Sequence, residues 1–135
     1  MGDGVRNRLA WVALACVIAL AGCNGSGKMV IAVIPKATSH LFWVSVKTGA
    51  EAAGKEFGVE IVWNGPAQET DYSRQIQILD SMVARHVDGI VIAATERKAL
   101  VVSIDRAAAA GIPLTVFDSG VDTTNYVSLD RKSVV

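Results

Sequence analysis

The chain has 135 residues with 13 Lys+Arg against 13 Asp+Glu, a formal charge of zero that argues against a basic nucleic-acid surface and against an acidic tail. Hydrophobic residues make up 51% and charged residues 19%, with 12 Gly and 3 Pro, which excludes disordered, collagen-like and low-complexity classes and leaves one globular domain. The two cysteines, Cys16 and Cys23, both precede the presumed folded part, so neither a disulfide framework nor a cysteine-based zinc site can lie within it.

The first segment reads as an address. Arg6 and Arg8 precede an apolar stretch from Leu9 to Ala21, which stops well short of the roughly 20 residues a spanning helix needs. Leu20-Ala21-Gly22-Cys23 follows, then the small polar run Asn24-Gly25-Ser26-Gly27. This layout predicts a signal peptide over 1–22, and the Leu-Ala-Gly-Cys box resembles the bacterial lipoprotein processing site, with Cys23 acylated and 23–28 as a flexible tether. An ordinary signal peptide leaving Cys23 free is the plainer alternative. Gly22 to Lys28 also fits the spacing of a phosphate loop, but Met29 stands where a magnesium-binding hydroxyl belongs and no strand precedes it, so nucleotide binding is not expected there.

From Met29 the pattern alternates strand and helix. Met29 to Ile34 is a continuous apolar run ended by Pro35, as in a strand buried on both faces. Over Leu41 to Phe57, Phe42, Val46, Ala50, Ala53 and Phe57 form one helical stripe, closed by Gly58. Val59 to Trp63 reads as a second strand, ended by Asn64-Gly65-Pro66, and Asp71 starts a helix through Arg85 with Tyr72, Ile76, Leu79 and Val83 turned inward. Ile90 to Ala94 is a third strand, Ala99 to Ala110 a third helix stopped at Gly111, and Pro113 to Phe117 a fourth strand. The order βαβαβαβ predicts an α/β fold: a three-layer αβα, Rossmann-like parallel sheet with right-handed crossovers.

In such sheets ligands bind beyond the carboxyl ends of the strands, where strand order reverses. Those ends carry Thr38, Ser39, His40, Phe42 and Trp43 after strand one, Asn64 after strand two, Thr95 and Glu96 after strand three, and Asp118, Ser119 and Gly120 after strand four. A carboxylate that accepts from two neighbouring hydroxyls, and a flat ring that covers an apolar C–H face, are the chemistry of carbohydrate binding. Each residue also has a plainer role. Phe42 lies on the helical stripe and divides evenly between core and ligand contact. Trp43 lies about 100° off that stripe, which favours a surface or ligand-facing position. His40 can simply begin the helix, His86 suits a surface or capping place, and Asp88 suits a turn. Asp118, a carboxylate at the end of an apolar strand, needs partners and is the leading candidate. No nucleophile elbow, zinc-protease motif or other catalytic set is visible, so neither an enzyme, a metal nor a cofactor is expected.

Taken together, Val30 to Pro35, Lys36-Ala37-Thr38-Ser39-His40-Leu41-Phe42-Trp43, Gly49-Ala50, Trp63-Asn64-Gly65-Pro66, Asp88-Gly89-Ile90, Ala99-Leu100, Gly111-Ile112-Pro113 and Phe117-Asp118-Ser119-Gly120 resemble the ribose-type periplasmic sugar-binding proteins of ABC transporters. The resemblance covers 29–128 and implies one lobe, the amino-terminal one, of a type I periplasmic binding protein. It implies an exported, lipid-anchored component that delivers a sugar or sugar-like solute to a membrane permease, with no nucleic-acid partner. Carried over by position, it implies ligand contacts at Phe42, Trp43 and Asp118, with His40 and Ser119 at polar contact positions. Leu41 replaces a proline common in relatives, and Glu96 an aspartate. The pattern fades over 129–135, and on this reading the chain is truncated, with impaired binding. A sugar-responsive regulatory domain of the repressor-like fold and a nucleotide-using α/β enzyme are the alternatives.

Overall fold

The computed structural model describes residues 27–130; residues 1–26, on which the expected signal peptide and acylated Cys23 fall, and 131–135 lie outside the described residues. Its elements in chain order are β1 (Val30–Ile34), α1 (Leu41–Phe57), β2 (Glu60–Trp63), α2 (Tyr72–Ala84), β3 (Gly89–Ile92), α3 (Val101–Ala109), β4 (Leu114–Phe117) and β5 (Ser128–Asp130). All strands pair in parallel in the order β2-β1-β3-β4-β5. The architecture is the expected α/β parallel sheet, and its order reverses between β1 and β3.

Local chemistry explains the element ends. His40 Nδ1 accepts the Phe42 N–H at 3.2 Å at the start of α1, and Asp71 Oδ1 accepts the Arg74 N–H at 2.9 Å at the start of α2. Gly58 ends α1 at φ 68°, a left-handed turn that costs glycine little. Glu96 Oε2 takes the amide hydrogens of Lys98 and Ala99, so a separate turn precedes α3 and delays its start to Val101. Asp88 does more than support a turn: its Oδ2 accepts the Val30 N–H at 2.7 Å and clamps the amino ends of β1 and β3.

Register places alternate residues on opposite faces of the sheet. Ala32, Ile34, Ile90, Ile92, Leu114 and Val116 pack under α2 and α3 and are fully buried with Leu79, Met82, Leu100 and Ile104. The opposite face carries Ile31, Val33, Ile61, Val91, Thr115 and Phe117 under α1 alone, leaving an apolar groove of about 410 Å³ beside the helix. The strands are therefore not buried equally on both faces, because two helices cover one side and one covers the other.

Helix α1 turns differently from its sequence stripe, and α2 departs from its stripe at single residues. In α1 the inward line runs through Trp43, Val46, Ala50 and Gly54, while Phe42 and Phe57 are exposed. Gly54 sets this rotation: a Cβ there would lie 2.5 Å from Ile61 Cγ1 and 3.0 Å from the Val59 carbonyl oxygen. Only a glycine lets α1 approach β2 so closely, and the helix turns to use it, bringing Trp43 inward where the stripe predicts the surface. In α2, Leu79 and Val83 are buried and Ile76 packs partly buried against the core, as the stripe predicts, whereas Tyr72 is exposed and Gln75, Ile78 and Met82 join the buried face. The helix touches both the sheet and α3, and Gln75 is drawn in by polar groups described below.

The sequence pattern also omits β5. Ser128, Leu129 and Asp130 add to the edge of β4, with Val116 opposite Leu129, and the Val127 N–H donates to the Leu114 carbonyl at 2.7 Å. Leu129 and Asp130, placed by sequence in a divergent tail, thus continue the sheet.

Candidate carbohydrate-contact site

The carboxyl ends of β1 and β4 hold a polar cluster built from both strands. Asp118 follows β4 in the left-handed region, at φ 63°, which aspartate tolerates better than most residues. Its Oδ2 lies 2.6 Å from Lys36 Nζ, just past the end of β1, and accepts the Ser119 hydroxyl at 3.1 Å. The Lys36 ammonium also donates to Ser119 Oγ. With side chains 17% and 21% exposed, Lys36 and Asp118 are half-buried yet still reach solvent. Lys36 is the residue that sequence reading passes over. The usable signal was a lysine immediately after a buried strand and proline, facing a second strand end that carries an acid.

The aromatic residues form a second cluster beside it. Trp43 is only 2% exposed and packs with Ala37 and Ala93. Phe42 meets it edge-on at 4.9 Å, and Phe117, the neighbour of Asp118, meets it edge-on from 6.1 Å. Its indole N–H donates to Glu69 Oε1 at 2.9 Å. Phe42, 40% exposed, is the more accessible of the adjacent pair, the reverse of the order expected from the helical stripe.

Other polar residues at the strand ends serve the scaffold. Thr38 Oγ1 and Ser39 Oγ donate to the carbonyls of Pro66 and Ala67, joining the loops after β1 and β2. Thr95 is bonded to Gln75, and Glu96 holds the turn before α3. Gln75 is fully buried and uses its whole amide. Its nitrogen donates to the carbonyls of Pro35 (2.9 Å) and Ala93 (2.8 Å), and its oxygen accepts from the Thr95 amide and hydroxyl. This one side chain ties α2 to the two strand ends that flank the point where strand order reverses. His40 lies exposed at the start of α1, where it caps the helix. His86 is exposed just after α2, at φ 52°.

The model of the periplasmic binding protein domain family matches residues 31–134, the whole strand-helix alternation and the tail beyond it. The chain belongs to the periplasmic binding protein family. Among curated relatives of this binding-protein domain, the D-ribose/D-allose-binding protein of Pseudomonas aeruginosa is 38% identical over 94 residues, which are 68% of this chain and 30% of that protein. The D-allose-binding periplasmic protein of Escherichia coli is 32% identical over 94 residues, 70% of this chain and 30% of its own length. A carbohydrate transporter solute-binding protein from Agrobacterium radiobacter, solved in complex with D-arabinose, superposes with a TM-score of 0.75 at 38% identity, covering 78% of this chain and 35% of that one. The fold is that of type I periplasmic sugar-binding proteins. This binding-protein chain spans about a third of the length of these relatives.

Proposed function

We propose that the chain is the amino-terminal, sugar-contacting lobe of a solute-binding lipoprotein that serves an ABC transporter. The observation that carries this reading is the Lys36–Asp118–Ser119 cluster beside the exposed ring of Phe42. A carboxylate, an ammonium and a hydroxyl can exchange hydrogen bonds with adjacent sugar hydroxyls, while the ring covers a C–H face of the sugar. In this reading Asp118 accepts from two hydroxyls, Lys36 and Ser119 donate to ring or hydroxyl oxygens, Phe42 stacks, and His40 lines the rim. Trp43, buried, supports Phe42 through their edge-to-face contact. The sugar relatives support the substrate class: D-ribose, D-allose and D-arabinose occur in their names.

The experiment is a titration of the chain with these three aldoses, followed through the tryptophan indole N–H signals by NMR. Trp43 and Trp63 both lie at the carboxyl edge of the sheet, so they report on this site. The expected result is a saturable shift of the Trp43 signal by at least one aldose and none by leucine. One lobe offers a single wall that leaves the sugar largely in water, so the 135 residues bind weakly, with a Kd on the order of 1 mM or above. Equal shifts with sugar and leucine would sink the reading.

The membrane partner rests on Cys23. Acylation there would hold the lobe at a bacterial membrane surface, facing a permease, without a spanning helix. Bacteria expressing the chain with radiolabelled palmitate should incorporate label, and Cys23→Ser should remove it; label retained by the serine variant would refute the anchor.

A further inference from the structure

Glu69 stands in the loop between β2 and α2, a position to which neither motif nor charge pattern assigns a role. Its carboxylate is the acceptor for the indole of a ring that is only 2% exposed. A buried indole N–H needs an acceptor, and an ionised acceptor makes a stronger bond than a neutral one. Two further bonds, from Thr38 to Pro66 and from Ser39 to Ala67, pin the same loop to the segment that leads into α1. Those two reach only backbone, whereas Glu69 reaches a ring.

That ring is the common support of both halves of the site. Phe42 and Phe117, the latter covalently next to Asp118, both meet Trp43 in edge-to-face geometry, with ring centroids 4.9 Å and 6.1 Å away. Edge-to-face contacts depend on ring orientation, so a turn of the indole shifts the exposed face of Phe42 and the strand end that carries Asp118. Glu69 itself is at the surface, so changing it removes the bond without opening the core.

We propose that Glu69 is a positioning residue of the sugar site: by holding the Trp43 indole it fixes the presentation of Phe42 and Asp118 to the ligand. The inference rests on the sugar-binding reading above. It is tested with Glu69→Leu, which removes the acceptor, and Glu69→Gln, whose amide oxygen can still accept. The leucine variant should speed hydrogen exchange of the Trp43 indole N–H and weaken D-allose binding by about tenfold, the scale of one hydrogen bond to a charged group. The glutamine variant should stay within about threefold of the parent on both measures. In a Trp43→Phe background, which has no indole N–H, Glu69→Leu should cost no further affinity, as non-additivity requires of a residue that acts through the ring.

Unchanged D-allose affinity in Glu69→Leu, with faster indole exchange, overturns the proposal and leaves sugar binding intact. A loss that persists in the Trp43→Phe background also overturns it, because Glu69 would then act on the ligand directly. Absence of sugar binding by the parent chain, with indole exchange still governed by Glu69, removes the functional reading and the proposal with it, so the two failures are told apart.

Discussion

Replacing Gln75 by leucine is expected to cost the fold on the order of 3–5 kcal/mol, the range for breaking a buried hydrogen-bond network. Leucine is somewhat larger than glutamine, so no cavity opens and the main loss is not one of packing. It comes from the carbonyls of Pro35 and Ala93 and the amide of Thr95, which the side chain now satisfies and which would face an apolar group instead. Each such orphaned group costs about 1–3 kcal/mol. Glutamate is no remedy, since a carboxylate cannot donate to the two carbonyls. Urea denaturation followed by circular dichroism measures the change, and a loss below about 1 kcal/mol would show that water or a shifted backbone satisfies these groups instead. Function should suffer with stability, because Pro35 adjoins Lys36 and the Ala93–Thr95 turn lies at the reversal of strand order. A loosened Gln75 would let the two strand ends drift apart where the ligand is expected to sit.

Asp118→Ala is expected to weaken sugar binding about a hundredfold as two or more charge-assisted hydrogen bonds disappear. Three effects act together. The carboxylate that would accept the sugar hydroxyls is gone, Lys36 loses the partner now 2.6 Å away, and Ser119 loses its acceptor. The backbone adds a smaller term: at φ 63° alanine pays a left-handed penalty of about 1–2 kcal/mol without the local hydrogen bonding that eases it for aspartate. Asp118→Asn separates these terms. Asparagine tolerates the same backbone and keeps an acceptor oxygen, so it should fold as the parent does while binding more weakly, having lost the charge. Binding by Asp118→Ala at parental strength would reduce Asp118 to a structural partner of Lys36. The same aldose titration decides it.

The leading part of this site was legible because Asp118 sits at the end of a continuous apolar strand, where an unpartnered carboxylate would be costly. Its partner Lys36 was not, since the pairing joins residues 36 and 118 across the sheet and depends on β1 and β4 flanking β3. The aromatic pair shows the same limit. Spacing within α1 placed Phe42 inward and Trp43 outward, but the helix rolls to bring Gly54 against Val59 and Ile61. A glycine contributes nothing to a hydrophobic stripe, so the feature that sets the roll is silent in periodicity. Gln75 was silent for a related reason. Polar residues are read as surface, and its burial makes sense only once three backbone groups of two other strand ends surround it. The short strand β5 has neither an apolar run nor alternation long enough to read, and it forms because β4 presents an open edge.

By itself, the sequence determined the alternating elements, their turns and caps, the parallel class and the acid at the end of β4. These follow from interactions between residues close in the chain: apolar runs, glycine at left-handed turns, and Asp71 and His40 bonded to amides within three residues. Tertiary structure alone decided which face of α1 points inward, the burial of Gln75 in α2, the pairing of Lys36 with Asp118, the fixing of Trp43 by Glu69 and the place of β5. These depend on groups from 5 to 82 positions apart, carried by different elements, meeting at one strand end or helix face. The energy of such a contact appears only after the sheet has assembled, so no local pattern in the chain encodes it.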